Sequence, residues 1–261
     1  MDNITASIVA YKHTQEEIKG ILDQFLNCTK VKKIFVINNY KDQIYNFDNP
    51  RVKVINARKN IGYGSAHNIA ICEARKLNCD YHIASNIDVV LSQSTIMTLR
   101  SVMDNNPNIQ ICGPKIENID GSLAANPRQF PSLFDMAVRM LPVGWRQKHN
   151  HVYELGSMDH NRNILGGYLS GCFTMLRLSN IDIMFDERFF MYPEDIDLSR
   201  RFGPVLMVAE AKIKHVHGAE SKKRFKMMLI HIINMVRYFI KYTAAYPSTS
   251  QLNKAIKYYD R

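Results

Sequence analysis

Between Phe185 and Leu198 the chain reads Phe-Asp-Glu-Arg-Phe-Phe-Met-Tyr-Pro-Glu-Asp-Ile-Asp-Leu. Carboxylates crowd among aromatics here. Glu194, Asp195 and Asp197 open a predicted helix, where free N–H groups and the helix dipole favour negative charge. The segment is either an acidic first turn or a catalytic carboxylate held at a cleft rim. Asn86-Ile87-Asp88 follows a predicted strand. A carboxylate there, beside an amide, either offers oxygen to a divalent cation or caps a turn. His215 and His217 alternate along a predicted strand and so point the same way, towards a metal, a diphosphate or solvent. Asn60-Ile61-Gly62-Tyr63-Gly64-Ser65-Ala66-His67-Asn68 is a glycine-bearing turn entering a helix, where backbone can approach a ligand and a helix start attracts phosphate. It is not a dinucleotide fingerprint, because the third glycine is missing and it follows the third strand. No Gly-Lys-Ser/Thr closes it as a Walker loop. Tyr11, Trp145 and Tyr192 are candidates to stack on a base or sugar ring, against an ordinary place in the core.

Strands and helices alternate around these residues. Strands are predicted at 6–11, 33–38, 52–55, 81–85, 109–113, 169–176 and 212–217. Thr14-Gln15-Glu16-Glu17 is a capping box, followed by Ile18, Ile21, Leu22 and Phe25 at helical spacing. Further helices are predicted over 65–77 and 94–103. The alternation predicts an open α/β sheet, with ligands at the carboxyl ends of its strands. Asn38-Asn39, Asn60 to Asn68 and Asn86 to Asp88 all fall there. Residues 117–165, broken by Gly121, Pro127, Pro131, Pro142 and Gly144, form an irregular excursion with a short helix near 133–141. This stretch faces substrate or is a surface insertion.

The chain has 261 residues, 46% hydrophobic, enough for one large domain or one domain plus a small appendage. A net charge of +10 suggests an anionic partner. Its five cysteines form no Cys-x-x-Cys pair, which argues against a zinc knuckle and predicts reduced thiols in a cytoplasmic setting. Met1 to Thr5 shows no secretory signal. Residues 222–241 place Lys222, Lys223, Arg224 and Lys226 before an apolar run interrupted by His231, Asn234 and Arg237. A spanning helix is not expected. An interfacial helix on anionic lipid and a helix packed on the domain or in a dimer are both open.

Read in order, Val9-Ala10-Tyr11, the spaced Asn60, Gly62 and Asn68, Asn86-x-Asp88, Ser170-Gly171 with Leu176, the acidic segment 185–198 and His215 before a Gly/Ser loop resemble one family. It is the inverting glycosyltransferases of family 2, in their bacterial rhamnosyltransferase-like branch. The resemblance runs from Ala6 to about Ser221. It implies a GT-A fold: a Rossmann-like mixed open α/β sheet flanked by helices over 1–221, with a basic amphipathic helical extension over 222–261. It implies sugar transfer from a nucleotide-diphosphate sugar, dTDP-rhamnose or a UDP-hexose, to a lipid-linked acceptor in O-antigen or capsular polysaccharide synthesis. Mg2+ or Mn2+ assists, and the protein works peripherally on the inner face of the plasma membrane.

The implied roles follow the motifs. Asp195 is the base and Glu194 positions the acceptor. Asp88, His215 and His217 serve the metal. Ala10, Tyr11, Asn38, Asn60, Gly64, Asn68 and Asn86 bind donor, and Ser170, Gly171, Tyr192 and Trp145 bind acceptor. Two positions depart from the family pattern. Asn38 stands where an Asp commonly reads the base, and an amide donates where a carboxylate only accepts. Glu220 stands where Ser is common. The rival readings are a sugar-phosphate nucleotidyltransferase and a basic nucleic-acid binder. The first expects a glycine/basic loop after strand one, where this chain has Tyr11-Lys12-His13-Thr14. The second expects a basic stripe with interleaved aromatics, which appears only near 222–226.

Overall fold

A computed structural model describes residues 3–139, 143–216, 224–242 and 248–259. Its centre is parallel. β1 (Ile4–Ala10) pairs with β2 (Val31–Asn38) on one side and β4 (Tyr81–Ser85) on the other, and β3 (Val52–Asn56) extends β2. β4 is buried throughout and β1 nearly so, as expected of strands covered on both faces. α1 (Gln15–Leu26) starts at the predicted capping box, with both reciprocal bonds between Thr14 and Glu17 formed. α2 (Tyr63–Lys76) covers the other face.

Beyond β4 the sheet turns mixed. β8 (Phe173–Arg177) runs antiparallel to both β4 and β6 (Ile111–Asn118). β9 (Leu206–His215) runs parallel to β6, and the short β5 (Val89–Val90) pairs with its end. α3 (Gln93–Asn105) packs beneath β6 and β9. The full order is β10-β7-β9-β6-β8-β4-β1-β2-β3, where β7 is Ile164–Leu165 and β10 is Lys257–Tyr258. This is the predicted mixed open sheet flanked by helices.

Several details differ from the sequence reading. β6 runs on to Asn118 instead of stopping at Gly113, with a register shift at Pro114/Lys115, where proline lacks the N–H a regular ladder needs. β9 starts at Leu206, six positions before the predicted strand, because Leu206 to Ala209 are buried by their neighbours. Among the described residues the excursion holds α4 (Leu133–Arg139) and also α5 (Val143–Tyr153), which the sequence did not predict.

α6 (Glu194–Phe202) begins inside the acidic segment. The region after residue 221 is joined to the body rather than appended to it. α7 (Arg224–Lys241) buries Met235 and Tyr238, with Tyr242 just beyond, in a cluster with Phe130, Tyr153, Tyr168, Phe189 and Ile196. After α8 (Thr249–Lys254), β10 closes the sheet edge. The outward face of α7 keeps Met228, Leu229, Ile233 and Val236 roughly half exposed. No helix among the described residues is long and apolar enough to cross a membrane.

Candidate active site

Residues 170–172, leading into β8, are where the parts of the site meet. The Gly171 N–H donates to Asp195 Oδ2 (3.1 Å), and the Ile196 N–H donates to Asp195 Oδ1 (2.8 Å). One residue on, the Cys172 carbonyl accepts from the Asn86 N–H (2.8 Å), which fixes the Asn86–Asp88 turn. Behind them, the buried Asn126 amide spans the gap, accepting from Ser170 N–H (2.9 Å) and donating to Pro114 carbonyl (2.8 Å). The predicted base and the predicted cation ligand are thus hung from adjacent residues. The Cys172 thiol lies within electrostatic reach of both Asp88 and Asp195.

The two carboxyls at the start of α6 have different surroundings. Glu194 is buried, its Oε2 has no hydrogen-bond partner among the described residues, and burial together with the neighbouring Asp195 charge pushes it up to about 8. Burial also raises Asp195, but the Gly171 and Ile196 N–H groups and the nearby Arg128 guanidinium oppose the rise. Of the pair, Glu194 holds a proton more readily and Asp195 is the better seat for negative charge, the kind of separation that distinguishes an acid from a base in a carboxyl pair. Arg128 was missed in the sequence reading. It lies inside the irregular excursion, and only the pairing of its backbone with Tyr168 brings it here.

Asp88 and His215 form the second part. Val89 pairs with His215 in the sheet, the Val216 N–H donates to the Asp88 carbonyl (2.7 Å), and His215 Nε2 lies 3.1 Å from Asp88 Oδ1. Burial alone would raise Asp88, but the His215 hydrogen bond and charge outweigh it and hold the carboxyl low. One carboxylate oxygen and one imidazole nitrogen side by side suit a small divalent cation that draws its remaining ligands from phosphate and water. No group of three or more such side chains occurs among the described residues. His217 lies outside them, as does Glu220.

The third part lies at the ends of β1 to β3. Tyr11 and Tyr40 meet edge to face at 5.6 Å, with the Lys12 ammonium over both rings. Ala10 is buried, and its carbonyl accepts from the Asn39 N–H (2.8 Å). Asn60 Oδ1 accepts from Asn39 Nδ2 (2.9 Å) and from the Gly62 N–H (3.0 Å).

Three predicted donor contacts turn out to be internal. Asn38 is buried, and its amide donates to the Gln43 carbonyl and Asn56 while accepting from Tyr40 N–H. Asn68 donates to the Phe185 carbonyl (2.9 Å) and Glu187 (3.0 Å) and accepts from Phe185 N–H (2.9 Å), so it ties α2 to the acidic segment. Gly64 makes room for a side chain rather than a ligand, since a Cβ there would sit 2.8 Å from the Phe185 Cβ. Gly62, at φ +93°, lets the turn press against the Phe190 carbonyl.

Among predicted acceptor contacts, Ser170 and Gly171 are at the junction. Tyr192 is 45% exposed and its ring meets His231 at 5.2 Å. Trp145 falls in α5, with its side chain outside the described residues. The other acids of the 185–198 segment are structural. Asp197 is fully buried and accepts from Arg201 (2.8 Å), Tyr242 (2.7 Å) and Lys241, which also bonds Asp186 (2.9 Å).

No protein-family model matches the chain. Among curated proteins it is similar to the N-acetylglucosaminyl-diphospho-decaprenol L-rhamnosyltransferase of Mycobacterium tuberculosis, seen in strains CDC 1551 and H37Rv. Identity is 30% over 191 residues, covering 67% of this chain. The chain spans 62% of that relative's length. Among solved structures, GalNAc-T7 with UDP, GalNAc and Mn2+ superposes with a TM-score of 0.63 at 12% identity, over 91% of this chain and 47% of that one. The mannosyltransferase PcManGT of Pyrobaculum calidifontis, with GDP-Man and Mn2+, gives 0.54 at 10%, over 95% and 67%. A mycobacterial protein gives 0.57 at 11%, over 92% and 74%. These likenesses establish the fold as GT-A. The sequence relative agrees with the rhamnosyltransferase-like resemblance of the motifs.

Proposed function

We propose that this GT-A chain, similar to the rhamnosyltransferase-like members of family 2, is an inverting glycosyltransferase. It moves a sugar from a nucleoside diphosphate, dTDP-rhamnose or a UDP-hexose, to a hydroxyl of a lipid-linked glycan. The observation that carries this reading is the suspension of Asp195 from Gly171 and of the turn that bears Asp88, through Asn86, from the adjacent Cys172. Each Asp195 oxygen spends one lone pair on a backbone N–H and keeps another for an incoming hydroxyl. Asp195 takes the acceptor proton as its oxygen attacks the anomeric carbon, and the bond to the diphosphate breaks on the opposite face. One displacement with one base inverts the configuration, unlike glycoside hydrolysis, which usually needs two carboxyls. Glu194, protonated beside it, has a hydrogen to offer the acceptor.

Asp88 and His215, with His217 two positions on, would hold Mg2+ or Mn2+. The ion supplies Lewis-acid stabilisation of the departing diphosphate. Manganese beside UDP or GDP-mannose in two fold neighbours supports that assignment. Tyr11 and Tyr40 would receive the base, and Asn86 and Asn60 would contact the donor between base and cation. Ser170 and Tyr192 flank the acceptor side. The printed name of the mycobacterial relative, a transferase to a diphospho-decaprenol, supports a lipid-borne acceptor. The half-exposed Leu229, Ile233 and Val236 on α7, after the basic residues 222–226, support contact with an anionic bilayer in surface-glycan assembly, O-antigen or capsule.

The test is a panel of nucleotide sugars scored by thermal shift with Mg2+ or Mn2+, since a ligand of the folded state raises its stability. Hits are then assayed on a lipid-linked acceptor, with the anomeric configuration of the product read by NMR. A cation-dependent rise for one donor and an inverted product are expected. No shift from any donor, or a retained configuration, overturns the reading.

A further inference from the structure

Tyr63 takes no part in the chemistry set out above, yet its hydroxyl reaches the centre of the site. It donates to the Gly171 carbonyl at 2.6 Å, across 108 residues of sequence. The N–H of the same glycine donates to Asp195 Oδ2 at 3.1 Å. Both polar groups of Gly171 are thus committed, one to the phenol and one to the carboxylate. The fit is close on both sides: a Cβ built on Gly171 would lie 3.4 Å from the Asp195 Cβ and 3.6 Å from the Tyr63 ring.

Tyr63 is itself held in place. Its N–H donates to the Phe190 carbonyl (3.0 Å), and its ring meets His67 edge to face at 4.4 Å. His67 of α2 is fixed by Ser7 (2.6 Å), Ser7 by His82 (2.7 Å) and His82 by Thr5 (2.8 Å), all buried where α2 meets β1 and β4. A rigid polar series therefore runs from the middle of the sheet to the ring that touches Gly171. A tyrosine kept only for packing would need the ring; this one also spends its hydroxyl on one of the two residues whose N–H groups hold the base.

We infer that Tyr63 is a positioning residue for the base, its hydroxyl locking the Gly171 backbone so that the Asp195 carboxylate is held in line for the acceptor. The inference rests on the transfer reading above for its catalytic consequence, but not for its geometry.

Tyr63→Phe keeps the ring and its contacts and removes only the hydroxyl. The expected result is a roughly tenfold fall in kcat with KM for the nucleotide sugar within about twofold, and an acid limb moved up by roughly half to one pH unit, since the carboxylate loses a well-placed N–H donor. Asp195 also faces Glu194, Arg128 and Cys172, which this variant leaves in place. An unchanged kcat and acid limb, or a raised KM at constant kcat, overturns the inference. The 13C resonance of the Asp195 carboxyl, titrated in wild type and Tyr63→Phe, reads the lock without turnover. A higher midpoint in the variant upholds it even in a chain that transfers no sugar, and an unmoved midpoint refutes it even in an active one. Should Tyr63→Phe fail to fold, Gly171→Ala presses on the same contact from the other side. A kcat loss at constant donor KM is again expected, and wild-type kcat overturns the lock.

Discussion

In the parallel half of the sheet, His67 and His82 are fully buried, and burial holds His67 down at about 3 and His82 well below its ordinary value. They stay neutral and share hydrogen bonds with Ser7 and Thr5, while the amides of Asn38, Asn39 and Asn68 tie strand ends and loops together. In the half built from β8, α6 and α7, the buried polar groups include acids. Asp197 is surrounded by Arg201, Lys241 and Tyr242, and Glu194 leaves an oxygen unpaired beside Asp195. Burying a polar group costs little once it is neutral and paired, whereas a buried charge demands a counter-charge or a function. The first half is a scaffold that fixes loops. The second stores the electrostatic imbalance a base requires, within two residues of an acid whose role is anchorage.

Changing that base should have the largest effect. Asp195→Asn should lower kcat by about a thousandfold, within the range of general-base catalysis, and leave donor affinity by calorimetry unchanged. Asp197→Ala, two residues away, should act on stability instead. It takes the carboxylate from Arg201 and leaves Lys241 with Asp186 alone, and should cost about 3–5 kcal/mol by urea unfolding, with residual activity falling only in step with the folded fraction. If the two variants behaved alike, the division of labour between these acids would be broken.

Asn68→Ala sharpens the same contrast from the scaffold side. It leaves the Phe185 N–H and carbonyl unpaired and should cost about 1–3 kcal/mol, with KM for donor unchanged. A raised KM at intact stability would return Asn68 to the donor site. pH separates the halves with opposite signs. The two histidines titrate near 6.5 when unfolded but resist protonation in the fold, so they contribute stability above that value and lose it as pH falls, by up to about 1.4 kcal/mol per unit for each. Glu194 does the reverse: its folded value near 8 exceeds the unfolded 4.5, so stability declines as pH rises between them. Urea midpoints should therefore fall on both sides of a maximum, and Glu194→Gln should flatten the upper side while steepening the lower side between 4.5 and 6.5. The smallest effect belongs to Leu229→Ser with Ile233→Ser, which should leave the melting temperature unchanged because both side chains are about half exposed, while reducing co-sedimentation with anionic vesicles.

Much of the architecture was legible in the chain. The period-two and period-3.6 patterns placed β1 to β4 and α1 to α3, and the family resemblance of the segments around Asp88, Asp195 and His215 suggested the chemistry proposed above. What stayed hidden has a physical cause. Asparagine and glycine at a strand end look the same whether they meet a ligand or a distant loop, so Asn38, Asn68 and Gly64 were assigned to donor although their partners are Gln43, Glu187 and Phe185. Tyr63 and Arg128 reach the site only through pairings far apart in sequence, which no local pattern announces. The strand β10 has two residues, too few for alternation to show.

The Lys241 ammonium neutralises both Asp186 and Asp197, one on each side of the loop that delivers Asp195. A protein shortened at residue 221 would therefore lose more than a lipid contact: it would leave two carboxylates facing each other without their common cation. Inactivity of such a truncation would report a collapsed loop, and the membrane question is answerable only by changes that leave this tether whole.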